Sequence, residues 1–218
     1  MFLKQLQVGH MAVFAYLIGD PDSGDCLIVD PGAYVDGIIA EARNNNLTIR
    51  YIVNTHGHAD HIAGNAEMKE KTGAQIVIHE DDAIMMTSHP FIMMRLLGAR
   101  PSPPADITVR DDDTIQLGTV TLRVIHTPGH SPGSMSLYMP GYILTGDTLF
   151  AGSVGSTNLI GGSWKKMYTS ITDKLLALPN DTIVLPGHRT GKALTSTIGH
   201  EKTNNPFLRQ QLSTHAED

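Results

Sequence analysis

Cysteine is nearly absent. The 218-residue chain has one, Cys26, so no disulfide can form within it. Its place in the apolar run Cys26-Leu27-Ile28-Val29 marks it as a small buried strand residue. Long apolar runs are missing as well, and nothing approaches the ~18 residues of a membrane span. The N-terminus sets Lys4 among mixed residues, without the apolar core or cleavage site of a secretory signal. A soluble cytoplasmic protein with no membrane partner is the expectation. Basic runs do not occur and the formal net charge is −6, which leaves no electrostatic footprint for a phosphate backbone. A small-molecule substrate is expected, not nucleic acid. Linkers and low-complexity segments are also lacking. The hydrophobic content of 41% suffices for a substantial core, and residues 1–218 read as one domain.

What the chain does have is a dense cluster of metal-ligand side chains. Thr55 to Gly64 reads Thr-His-Gly-His-Ala-Asp-His-Ile-Ala-Gly. Residues 50–54 before it read as a short buried strand, and 61–71 after it as a helix. The cluster therefore falls on a strand-to-helix turn. His56 and His58, two apart on extended chain, point one way. Asp60 and His61, where the chain turns into the helix, point another. A lone histidine would read as an ordinary core or surface residue. Four ligand-type residues in this pattern favour a metal site, and the two directions suit two adjacent ions better than one.

The rest of the chain alternates short strands with helices. Strands are expected at 2–8, 11–18, 25–29, 74–78, 107–109, 114–117, 119–125, 134–138, 142–144 and 182–185. Helices are expected at 35–44 and 164–178, with a short helix or two in the tail at 196–212. Residues 84–97 carry Met85, Met86, Met93 and Met94. Pro90 should break them into two short helices that pack the core or line a flexible apolar pocket. Three more candidate ligands each follow an expected strand in a loop pinned by proline or glycine: His130, Asp147 and His188. A rigid scaffold with ligands on strand-end loops is the usual way to build a site. His10, His79, His89, His126, His200 and His215 read as structural or surface residues, and Tyr138 and Tyr168 as packing residues. Asp111-Asp112-Asp113 reads as a solvated turn.

The ordered motifs Asp30-Pro31-Gly32, Thr55-His-Gly-His-Ala-Asp-His61, Thr127-Pro-Gly-His130, Gly146-Asp-Thr-Leu-Phe150 and Pro186-Gly-His188 resemble those of the metallo-β-lactamase superfamily. Gly146 to Phe150, together with Thr197 to Glu201 and Asn205 to Leu208, is most similar to the glyoxalase II (hydroxyacylglutathione hydrolase) branch in its short single-domain form. The resemblance implies an α+β fold, a four-layer αββα sandwich of two mixed sheets with helices outside. It implies that His56, His58 and His130 hold one divalent metal, that Asp60, His61 and His188 hold a second, and that Asp147 bridges them. The metals would be zinc, with iron or manganese as alternatives.

Such a pair, ~3.5–4 Å apart, activates a hydroxide between the ions and polarises a carbonyl. Asp60 would orient the nucleophile and pass a proton to the leaving group. The implied reaction is hydrolysis of a thioester such as a hydroxyacylglutathione. The same resemblance admits a persulfide dioxygenase with one iron on His56, His130 and Asp147, or a lactone or phosphodiester hydrolase. Two departures bear on glutathione. The helical C-terminal domain of two-domain glyoxalase II enzymes is expected to be absent. Ser156 stands where many glutathione-using relatives carry a basic residue, with Lys165 and Lys166 nearby in sequence.

Overall fold

The computed structural model of the chain describes residues 1–209; the last part of the expected tail, 210–212, and His215 lie outside them. The first sheet runs β1 (Phe2–Val8), β2 (Val13–Asp20), β3 (Asp25–Val29), β4 (Thr48–Asn54), β5 (Gln75–His79) and β6 (Ile107–Val109), in that spatial order. The first three strands are antiparallel and the last four parallel. Each parallel step needs a crossover. The crossovers are α1 (Val35–Asn44), then α2 (Ala59–Ile62) with α3 (Asn65–Thr72), then α4 (Ala83–Thr87) with α5 (Phe91–Leu96).

The second sheet contains β7 (Thr114–Leu117), β8 (Val120–His126), β9 (Met135–Met139) and β10 (Tyr142–Gly146). A small separate hairpin follows, β11 (Leu149–Phe150) and β12 (Ser153–Val154). Then come α6 (Trp164–Thr169), β13 (Ile183–Pro186), β14 (Ser196–Thr197) and α7 (Ile198–Asn204). Strand β13 pairs in parallel with β10, and all other pairs in this sheet are antiparallel.

Three separate apolar cores define the layers. Along β2, Val13, Ala15 and Leu17 face α1 to α5. Their alternates Phe14, Tyr16 and Ile18 face the second sheet. A strand buried on both faces shows no polar alternation, which is why β2 and β3 read as apolar runs. On α1, Val35, Ile38, Ile39 and Ala42 recur at helical spacing and are buried. The third core lies between the second sheet and the helices after residue 163; Ile143, Val184, Met167, Ile171 and Ile198 belong to it, with Tyr138 and Tyr168 packed against it. Three interfaces separate four layers, helix, sheet, sheet, helix, which is the expected αββα sandwich. Cys26 is fully buried on β3. No helix among the described residues is long and apolar enough to cross a membrane.

Several boundaries differ from the sequence expectation. Strand β2 starts at Val13, because Ala12 takes a left-handed φ of 55° in the preceding turn. The helix expected over 61–71 is two helices, parted where the Gly64 N–H donates to the Pro31 carbonyl at 2.8 Å. A Cβ on Gly64 would collide with that carbonyl, and one on Gly32 with the carbonyl of Asp60. The Asp-Pro-Gly loop and the metal-ligand turn therefore interlock through two positions where only glycine fits. The helix expected over 164–178 turns π-helical at Ser170–Leu175, with Leu176 N–H donating five residues back to Ile171. There the Ser170 hydroxyl donates to the Pro128 carbonyl at 2.8 Å, docking the helix on the loop that carries His130. The break at Pro90 falls as expected.

Candidate metal centre

The His-rich turn leaves β4 at Asn54 and is pinned along its length. Thr55 donates both its N–H and its hydroxyl to the Asp30 carboxylate, at 2.8 and 2.7 Å. Gly57 N–H donates to Asp82 Oδ2 at 2.8 Å. Asn65 donates to Asn54 at 2.8 Å, and Asn54 reaches the His61 carbonyl at 3.3 Å. All these groups are buried, so each bond acts in a low-dielectric setting with little water to compete. The other three candidate ligands arrive from the second sheet: His130 after β8, Asp147 after β10 and His188 after β13. Phe14 N–H donates to the Gly187 carbonyl at 2.7 Å, tying the His188 loop to the start of β2.

The structure brings all seven candidate ligands together. His56, His58 and His130 form one group, and Asp60, His61 and His188 another; within each, the candidate ligand atoms lie within 4.8 Å of one another. His58 Nδ1 and His130 Nε2 are 2.8 Å apart, and the Nε2 atoms of His61 and His188 are 3.0 Å apart. Asp147 stands between the groups. Its Oδ2 lies 3.4 Å from His130 Nε2 and 3.5 Å from His188 Nε2, and its Oδ1 lies 3.5 Å from His61 Nε2.

The outer nitrogens are occupied. His61 Nδ1 faces Asp30 Oδ2 at 3.0 Å, His130 Nδ1 the Ser156 carbonyl at 2.7 Å, and His188 Nδ1 the Met11 carbonyl at 2.9 Å. These acceptors place the proton on Nδ1 and turn the Nε2 lone pair inward. Two inward lone pairs 3.0 Å apart repel unless a cation or proton lies between them. His56 Nε2 and Asp147 Oδ1 are buried with no hydrogen-bond partner. Buried polar atoms are otherwise paired almost without exception. This donor set of imidazole nitrogens and carboxylate oxygens fits one or two divalent cations of the zinc–iron group.

The electrostatics divide the cluster. Burial, then the neighbouring imidazoles, push His56 well below its usual value and bring His58 down to about 4. Burial also acts to lower His61, but the carboxylates of Asp147, Asp30 and Asp60 outweigh it and hold His61 up at about 10. His188 is raised likewise against burial, through Asp60 and Asp147. Asp60 stays below the carboxylate range, because His188 and His61 outweigh its burial.

Two carboxylates do more here than sequence reasoning assigned to them. Asp30, noted only as part of a motif, orients both Thr55 and His61. Asp82, which belongs to none of the sequence motifs, is fully buried. Besides Gly57 it accepts from Gly133 N–H at 2.6 Å and from the Ser131 hydroxyl at 2.7 Å, so it joins the His56–His58 turn to the His130 loop. Glu201 is also fully buried and holds the Gly152 N–H at the β11–β12 turn. Neither Asp30 nor Asp82 has a local spacing signal. Among the residues read as non-ligands, His126 stacks on His79 at 3.9 Å and points Nε2 at the Pro132 carbonyl, 2.9 Å away. These two form a further group with Asp81. His89 is bonded to the Gly57 carbonyl at 2.6 Å, and His10 and His200 are exposed.

His58, Asp60, His130, Asp147 and His188 line one wall of a cavity of about 930 Å³. The same cavity is lined by the methionine-rich helices and by Leu159 and Ile160. The methionines divide as the two expected roles would have them: Met86 and Met94 are buried in the core, while Met85 and Met93 line the cavity.

Residues 8–188 match the metallo-beta-lactamase superfamily. A Bacillus subtilis protein named "probable metallo-hydrolase" is 34% identical over 94% of this chain and 96% of its own length. The human mitochondrial persulfide dioxygenase ETHE1 is 31% identical, over 95% of this chain and 76% of the relative. The hydroxyacylglutathione hydrolase GloC of Haemophilus influenzae is 30% identical, over 87% and 90%. Among solved structures, ETHE1 from Myxococcus xanthus superposes with a TM-score of 0.84 at 29% identity, over 96% of this chain and 85% of that one. TTHA1623, solved in a di-iron-bound form, superposes with a TM-score of 0.80 at 31% identity, over 94% and 100%. The fold, the His/Asp clusters and these likenesses agree, and the chain belongs to the metallo-β-lactamase superfamily.

Proposed function

We propose that this protein is a binuclear metal-dependent hydrolase that cleaves an ester or thioester of a small molecule. His56, His58 and His130 would hold one divalent ion, Asp60, His61 and His188 a second, and Asp147 both. The position of Asp147 carries the reading: its two oxygens lie between the two imidazole groups, and one is buried without a partner. Zinc or iron suits these ligands, and the relative solved in a di-iron-bound form supports iron. When bound, such ions lower the pKa of water towards ~7 and polarise the substrate carbonyl.

The chain's own residues complete the chemistry. Asp60 faces the cavity as a carboxylate, 3.3 Å from His188 Nε2. It accepts the proton of the attacking water and returns it to the leaving thiolate or alkoxide. The water oxygen bonds to the acyl carbon, the C–S or C–O bond breaks, and an acid and a thiol or alcohol leave. The test is hydrolysis of S-lactoylglutathione and simple acyl esters by protein of measured metal content, with a chelator-treated control. About two metals per chain and chelator-sensitive turnover support the reading. Metal-replete protein inert towards every ester and thioester would overturn it.

The likeness to persulfide dioxygenase supports a second reading, one iron on His56, His130 and Asp147. Oxygen consumption with a glutathione persulfide, at one iron per chain, would favour it.

A further inference from the structure

The cavity beside the centre has no permanent cation among its lining side chains. Every candidate for charge on its wall is an aspartate or a histidine: Asp60, Asp81, Asp147, His58, His89, His130 and His188 are there, and no lysine or arginine is. All sixteen basic residues lie within the described part of the chain. Ser156 gives the centre a backbone carbonyl in place of a cation, and Lys165 and Lys166 are exposed and away from the lining. Beyond the centre itself and its imidazoles, a substrate with free carboxylates, as glutathione has, would meet no lysine or arginine on this lining.

Apart from Ser88, the rest of the lining is apolar. Ile84, Met93, Leu96 and Leu97 come from the helices over residues 83–96 and the residue after them, and Leu159 and Ile160 from the loop before α6. Ile84, Leu96 and Ile160 are 79%, 82% and 93% exposed, far more than large apolar side chains with packing partners would be. Contiguous exposed apolar surface of this kind marks a binding site, and here it is continuous with the metal-ligand wall. Apart from imidazoles the lining contains no aromatic ring on which a flat group could stack. Flexible methionine and leucine side chains adapt to a flexible partner.

We propose that the substrate is the ester or thioester of an unbranched fatty acid with an uncharged leaving group. Its acyl chain lies between the 84–97 wall and Leu159–Ile160, and its carbonyl lies against His58, Asp60 and Asp147. This rests on the hydrolase reading above and adds the substrate class to it. The leading specificity residues are Leu96 and Ile160. Both are so exposed that charged substitutions there leave the fold intact.

The experiment compares kcat/KM for 4-nitrophenyl esters and uncharged N-acetylcysteamine thioesters with acyl chains from two to ten carbons, alongside S-lactoylglutathione. Rates should rise by up to about fourfold per added methylene until the cavity is filled, and exceed that for S-lactoylglutathione. Leu96→Asp with Ile160→Asp should flatten this dependence, lowering kcat/KM for the ten-carbon ester far more than for the acetyl ester. Chelator-sensitive turnover with no chain-length dependence, or fastest on S-lactoylglutathione, overturns the proposal and leaves the hydrolase standing. Binding of 2-undecanone, a carbonyl of similar length that cannot be hydrolysed, tests the acyl site separately. Saturable binding lost in the double variant supports it, and no binding overturns it whatever the turnover assays give.

Discussion

Asp147 and His126 make an instructive pair of side chains. Both follow or end strands of the second sheet, yet one reaches the centre and the other stacks on His79. Asp147→Ala should lose most of the bound metal and at least about a hundredfold in kcat/KM, whereas His126→Ala should keep its metal. Elemental analysis of the two proteins decides it, and equal loss would undo the ligand assignment. Asp30 makes a subtler case. Asp30→Asn keeps the shape but weakens the acceptor that orients His61, and outer partners of this kind are worth about 10–100-fold in metal affinity. Competition with a chromophoric chelator would measure it; unchanged affinity would show that the His61 ring is held by packing alone. The four ligands between His56 and His61 were legible because they are local. Asp30, 25 residues from Thr55, was visible only as a motif without a role, since nothing in spacing reveals which buried carboxylate will receive a distant imidazole.

Among the elements, the short 3-10 turn at Glu80–Asp82 joins more than its length suggests. Through Asp82 it gathers the His56–His58 turn and the His130 loop. Asp82→Ala strips the carboxylate acceptor from the Gly57 and Gly133 N–H groups and from the Ser131 hydroxyl. The loss should be about 3 kcal/mol or more of stability, read from the urea midpoint of metal-free protein. A loss under about 1 kcal/mol would mean that water replaces the carboxylate. Elements with a repeated signal were legible: α1 from its apolar spacing, the break between α4 and α5 from Pro90. The β11–β12 hairpin, two residues to a strand, is too short to show a period. The π-helical turn, which begins where Ser170 bonds to Pro128 across the fold, has no signal in the apolar spacing.

At the scale of the molecule, the two sheets meet through an apolar core and a few polar clasps. Asp20, at the end of β2, accepts from Thr119 N–H at 2.6 Å and from its hydroxyl at 3.1 Å, fastening the first sheet to the β7–β8 turn. The Thr119 N–H is the chief cause of its lowered pKa, with burial opposing. A carboxyl lowered by folding stabilises fully above its unfolded value of ~3.9, and that stability is lost as pH falls through the folded value. Asp20→Asn should therefore be less stable than the parent at pH 7, with the gap closing below about pH 4. Denaturation of both proteins in chelator separates this from metal loss; a gap independent of pH would assign the effect to packing. The αββα sandwich was legible as a resemblance carried by the motifs, while the clasp between Asp20 and Thr119, 99 residues apart, was not.

The spread of candidate ligands over both sheets also has a consequence in time. His61 and His188 are 127 residues apart. At about 5–20 residues per second, synthesis of that interval takes roughly 6–25 s. During it the ribosome presents half a centre, His-x-His-x-Asp-His without its closing partners. The candidate centre is complete only once the loop carrying His188 docks on the start of β2.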